Sequence, residues 1–262
     1  VTGAGAVTSL LSTSVVFIQG LSGALWWRML RPERGATPVE LVGMGLALGS
    51  AAALLSGLLA YWWLAPAAIG IFWLWRTRRH KPRSDLLPLD RASIYGVAVG
   101  LSFGILGLLV AVRDYPLAWL GINSSYHGDM LFFEALSTSM SRFWPDSIFM
   151  SGAELKYHSL VYAWVGQVTD ASSAAPFVTL TRTLPLVTLI AVVSLAAAWT
   201  RRLTLASWAP ALAVALIVTG GFVGAAFGTI LNFDSPSQTF SIVWLLAFSV
   251  ALVNYLSIRQ SH

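Results

Sequence analysis

The stretch "YHGDMLFFE", Tyr126 to Glu134, sets His127 and two carboxylates, Asp129 and Glu134, among aromatic rings. A carboxylate in such a setting can take a proton from a hydroxyl, ligate a cation, or cap a helix. Asp129 follows Gly128 where a helix is expected to start, and unpaired amides and the helix dipole favour a carboxylate there. The cap and the general base therefore stand as alternatives for Asp129. Glu134 lies five residues on, about 140° around an ideal helix, so the two do not form an acid/base pair on one face. Glu134 is the second candidate for the carboxylate role. His127 fits a ligand, a proton carrier, or a polar residue ahead of the helix.

Two further polar clusters interrupt an apolar chain. "SGAELKYHSLVYAW" carries Glu154, Lys156, Tyr157 and His158 into an aromatic run with Tyr162 and Trp164. Aromatic faces stack on sugars and Lys or His meets phosphate, yet the same residues suit an interfacial belt. "NFDSPSQTFS" holds Ser235 and Gln238 around Pro236, a turn before an apolar run, with Ser237 suited to a cap. No Walker glycine loop, GxSxG, HExxH or dinucleotide fingerprint occurs, so any catalysis must use dispersed carboxylates and histidines.

The elements that must position these residues are membrane helices. Of 262 residues 56% are hydrophobic and 10% charged, which puts the chain in the membrane class. Seven runs meet or approach the about 20 residues that cross a hydrocarbon core: about 4–27, 39–59, 60–75, 93–112, 183–200, 206–229 and 239–257. The alternating connectors "RMLRPER", "RTRRHKPRSDLLPLDR", "TRRLTL" and "IRQSH" carry twelve of the 16 Lys and Arg, which makes them cytoplasmic. The other side is net acidic, with Arg113, Arg142, Lys156, Arg182 and seven acids. The net charge of +5 thus follows from topology, and nucleic acid loses its support as a partner. The large outer connector, about 113–182, is too long to be structureless, and helices are expected over Gly128 to Phe143 and about Leu155 to Val168. The first has an apolar face from Phe132, Phe133, Leu136, Met140 and Phe143, suited to the membrane interface. The expectation is an all-α multi-pass plasma-membrane protein of about seven spans, one transmembrane region over 1–262 with an extracytoplasmic helical loop. The apolar start at Val1 is read as a true span and the chain as a fragment. With no cysteine there is no disulfide or thiolate site within these residues.

At these residues the chain resembles the actinobacterial polytopic glycosyltransferases of the GT-C superfamily. The resemblance runs from about 127 to 241 through the "GD" and its aromatic helix, "GAELKYH", "YAW", "LTRTLPL" entering a span, and "SPSQ". It implies transfer of a sugar from a polyprenyl-phosphate carrier to a glycan or lipid acceptor at the outer face of the membrane. It also implies an acidic residue of the first large outer loop as base or metal ligand, and Asp129 matches that position. A histidine often seen a turn later is Phe133 here, and the chain ends before the further spans such enzymes usually have. On this reading His158, Lys156 and Arg182 stand near the leaving phosphate, with His127, Tyr157, Ser235 and Gln238 along the substrate path. The cofactor is open: a divalent metal is compatible, and no clustered ligand set demands one.

Two other classes remain. A transporter would place acids inside its spans, where Glu40 is the nearest candidate and sits at a span end. A non-catalytic lipid-binding or assembly protein would use the outer helices only to dock partners or membrane lipids.

Overall fold

The computed structural model describes residues 2–30, 35–58, 71–72, 75, 86–112, 129–143, 159–223 and 236–259. All regular structure among them is helical. The helices are α1 (Thr2–Leu30), α2 (Pro38–Leu58), α3 (Arg91–Ala111), α4 (Asp129–Phe143), α5 (Ser159–Ser172), α6 (Pro176–Leu203), α7 (Ala209–Val223) and α8 (Pro236–Arg259).

Five of these, α1, α2, α3, α6 and α8, are long and apolar enough to cross a membrane. Of the expected run at 206–229, residues 224–229 lie outside the described residues; the described part carries α7, whose apolar stretch is Ala209–Gly220. Most of the run at 60–75 lies outside the described residues. Large apolar side chains such as Leu10, Ile18 and Leu21 on α1, Leu106 and Leu109 on α3, and Leu245 and Phe248 on α8 face outward. A protein in water does not keep such extended apolar faces exposed, whereas a hydrocarbon solvent accepts them.

The centre of the bundle is α6, where Leu189, Ala191, Val192, Val193, Leu195 and Ala197 are fully buried. It packs against α2, α3, α7 and α8. Since lipid tails are as apolar as leucine, association rests on close packing, and small residues permit it. On α3, Gly96, Gly100 and Gly104 recur every four residues, one face of a helix. A Cβ at Gly96 would meet Pro210 of α7, one at Gly100 would meet Val214 and Val193, and one at Gly104 would meet Leu189. The α1/α2 pair is closer still, because a Cβ on Gly23 would enter the backbone of Gly45 and Gly49.

Polar residues set the helix ends. Thr37 Oγ1 accepts the Glu40 amide at 3.2 Å, with Pro38 at the first helical position of α2. Asp90 caps α3 by accepting the Ser93 amide at 3.1 Å and its hydroxyl at 2.9 Å. The helix that carries the run expected over about 183–200 begins at Pro176, and its early part is a π turn over Thr179–Thr183, in which the Leu184 amide donates to the Thr179 carbonyl. Pro185 gives the reason: it has no N–H for the carbonyl four residues back, and its ring crowds that carbonyl. That carbonyl belongs to Thr181, and it accepts from Arg182 Nη1 at 3.2 Å.

Candidate functional site

The helix expected over Gly128 to Phe143 is α4, which begins its described course at Asp129. Its inner face is Met130, Phe133, Leu136, Ser137 and Met140, all buried, while Asp129 is exposed in the first turn. The helix dipole favours a carboxylate in that first turn. Glu134 is half-buried on another face, as the five-residue spacing requires, and burial pushes its carboxyl above the ordinary value.

α4 packs on α5 and on the opening turn of α6. The Phe133 ring stacks on Tyr162 at 5.3 Å. Phe133 is thus an anchor for α4 and does not offer a ligand. Tyr162 is 1% exposed and Trp164 fully buried, so neither lines an open wall nor sits in a headgroup belt. The physical reason is that α5 is surrounded by α1, α2, α4 and α8. Trp164 donates from Nε1 to Gln19 Oε1 at 3.0 Å and stacks on Phe240 at 4.8 Å.

That stack brings the start of α8 to the same end of the bundle, with Gln238 exposed in its first turn. The π turn of α6 lies there too. Ser12 and Thr183 hydroxyls are 2.5 Å apart, and the Thr169 hydroxyl donates to that of Thr179 at 3.3 Å. Arg182 is half-buried on this turn, which packs against α1 and α5. Of the residues singled out in the sequence, Asp129, Glu134, Arg182 and Gln238 are therefore described, on elements that share one end. His127, Lys156, Tyr157, His158 and Ser235 lie outside the described residues. Among the described residues no three His, Asp or Glu side chains form a set that could hold a metal ion.

A second polar centre occupies the opposite end. Glu40 is fully buried; its Oε1 accepts from Trp27 Nε1 at 2.9 Å and Asn254 Nδ2 at 3.3 Å, and its Oε2 pairs with Arg202 at 2.6 Å. One carboxylate thereby joins α1, α2, α6 and α8. The neighbouring Arg201 pairs with Asp90 at 2.8 Å and ties α6 to the cap of α3. Burial would raise the Asp90 carboxyl, but the Ser93 hydroxyl and amide together with Arg201 outweigh it and hold the carboxyl below its ordinary value. Spacing within the sequence carried no sign of this network, because its partners come from distant helices. The one local sign was an acid and a capping threonine, Thr37 and Glu40, at the start of an apolar run.

No protein-family model, no curated protein and no solved structure matches this chain.

Proposed function

We propose that the chain is a multi-pass membrane glycosyltransferase that moves a sugar from a polyprenyl-phosphate donor to a glycan or lipid acceptor at the outer face of the plasma membrane. The observation that carries this reading is the placement of Asp129. It is exposed at the start of an amphipathic helix whose opposite face is anchored in the bundle. Rigid backing with a solvent-reaching carboxylate is what a positioned base needs.

In this mechanism Asp129 takes the proton of the acceptor hydroxyl as that oxygen bonds to the anomeric carbon. The bond from that carbon to the carrier phosphate oxygen breaks, and the polyprenyl phosphate leaves with the electron pair. The growing negative charge needs cationic donors more than a strong acid, and Arg182 supplies one. Lys156 and His158 are assigned to the same task, Glu134 is the second carboxylate, and His127, Tyr157, Ser235 and Gln238 border the substrate path.

The reading carries a topology of seven spans with the basic connectors in the cytoplasm and residues 113–182 outside. A transport role finds less support. Glu40, the acid within the five span-length helices, is engaged by Trp27, Arg202 and Asn254 and lies at a span end. The test is transfer of labelled sugar from a polyprenyl-phosphate donor in membranes holding the protein or Asp129→Asn at matched expression. Loss of about a hundredfold or more is expected for removal of a general base. Equal transfer by both proteins would retire Asp129 from that role.

A further inference from the structure

The connector from α6 to α7 pairs its backbone and exposes its apolar side chains. The Thr204 amide donates to the Thr200 carbonyl at 3.0 Å, the Thr204 carbonyl accepts from Arg201 Nη1 at 3.4 Å, and the Thr204 hydroxyl accepts the Ala206 amide at 3.2 Å. The Ala206 and Trp208 carbonyls accept the Ala209 and Leu212 amides. The large side chains face outward: Leu205 is 86% exposed, Trp208 65% and Leu203 59%. Beside this connector runs the one that leads into α3, with Leu86, Leu87 and Leu89 exposed. The Arg201–Asp90 ion pair at 2.8 Å and the close approach of Gly96 to Pro210 hold the two together. Both directly flank span-length helices, Arg91–Ala111 and Pro176–Leu203.

We propose that these two connectors form one surface that inserts into the bilayer interface, with the upper acyl chains of one leaflet as its partner. Single exposed leucines are ordinary on a protein in water, whereas large apolar side chains gathered on two adjoining connectors mark a contact surface. Three observations identify lipid as the occupant. Unpaired backbone groups bar a loop from an apolar phase, and here the Thr204 and Ala206 amides and carbonyls and the Trp208 carbonyl are all paired. The surface continues the outward apolar faces of the helices beside it, through Ile94 and Tyr95 near the start of α3 and Leu212 on α7. An indole and a partly exposed arginine, Trp208 and Arg201, also stand among the leucines, the pairing of an amphipathic ring with a snorkelling cation that suits an interface. Insertion fixes the depth of the Arg201 end of α3, α6 and α7 in the bilayer. The proposal goes beyond the transferase reading and uses none of its residues.

The chain has no cysteine, so a spin label can be placed at single sites of the full chain by Leu205→Cys, Trp208→Cys and Leu89→Cys, each at an exposed side chain. In phosphatidylcholine vesicles, collision of the label with oxygen, which concentrates in lipid, is compared with collision with a water-soluble nickel chelate. Thermal unfolding is recorded for each labelled protein and should change little. All three labels are expected to meet oxygen more often than nickel, at a depth between those of lipids labelled at the headgroup and at mid-chain. More frequent collision with nickel would place the connectors in water and overturn the proposal. Low collision with both reagents would mean that protein, a second copy or another segment, covers the surface, and would overturn it equally. A mid-chain depth would make the connectors part of the spans and contradict an interfacial surface. Thr204→Val in the Leu205→Cys chain removes the acceptor of the Ala206 amide and should shift the label toward nickel. An unchanged depth would overturn the role given to the paired backbone.

Discussion

The two ends of the bundle use charge differently. At the Glu40 end a buried carboxylate has a counter-ion, an indole and an amide on it from three other helices, and Asp90 has Arg201 and Ser93. At the Asp129 end an exposed carboxylate opens an amphipathic helix, a half-buried one is raised by burial, and an arginine is oriented by a backbone carbonyl. Charges closed on one another hold helices in register. At the other end the Asp129 carboxylate stays exposed to solvent.

The largest effect should come from opening the closed end. Arg202→Ala or Arg202→Met leaves the Glu40 carboxylate buried beside Trp27 and Asn254 without its cation, a change that costs about 3–5 kcal/mol in buried pairs. Arg202 is partly exposed, so the lower part of that range is expected. Reversible unfolding in mild detergent checks it, and a value near zero would remove the network from the stability account.

The next largest effect concerns how closely the helices approach. Gly23→Ala drives a methyl group into the Gly45 and Gly49 backbone, which cannot rotate away. A loss of about 1–3 kcal/mol is expected, as for overpacking. Among the described residues nothing lies within 4 Å of a Cβ added at Gly220 of α7, so Gly220→Ala should be neutral or stabilise by up to about 1 kcal/mol through helix propensity. Equal behaviour of the two variants in the same unfolding assay would break the close-packing account.

The smallest effect separates the ends by pH. The lowered Asp90 carboxyl contributes stability that is full above its unfolded value of about 3.9 and is lost as pH falls through its lower folded value. The raised Glu134 carboxyl contributes stability that is full below its unfolded value of about 4.3 and is lost as pH rises through its higher folded value. Unfolding temperatures should therefore show Asp90→Asn erasing part of the acid-side fall. Glu134→Gln should erase part of a fall between acid and neutral pH. The opposite assignment would contradict the burial and hydrogen-bond causes.

Much of this was readable along the chain. The span-length helices follow from apolar runs, and α4 from Gly128, Asp129 and the spacing of Phe133, Leu136 and Met140. The four-residue spacing of Gly96, Gly100 and Gly104 was readable too, though which helices it admits was not. Pro185 was visible inside "LTRTLPL", yet a proline near a span end reads as a boundary, and only the continuous helix from Pro176 reveals a π turn. Burial of Tyr162 and Trp164 depended on which helices surround α5. The bonds from Glu40 to Arg202 and Asn254 join residues far apart in sequence, and no local pattern encodes them.

The most direct measurement pairs sugar transfer from labelled polyprenyl-phosphate donor with thermal unfolding, on Asp129→Asn and Arg202→Met side by side. The account predicts that Asp129→Asn loses transfer at unchanged unfolding temperature, while Arg202→Met lowers the unfolding temperature and keeps transfer in the molecules that remain folded. Destabilisation by Asp129→Asn with transfer intact would contradict the division between a structural end and a working end.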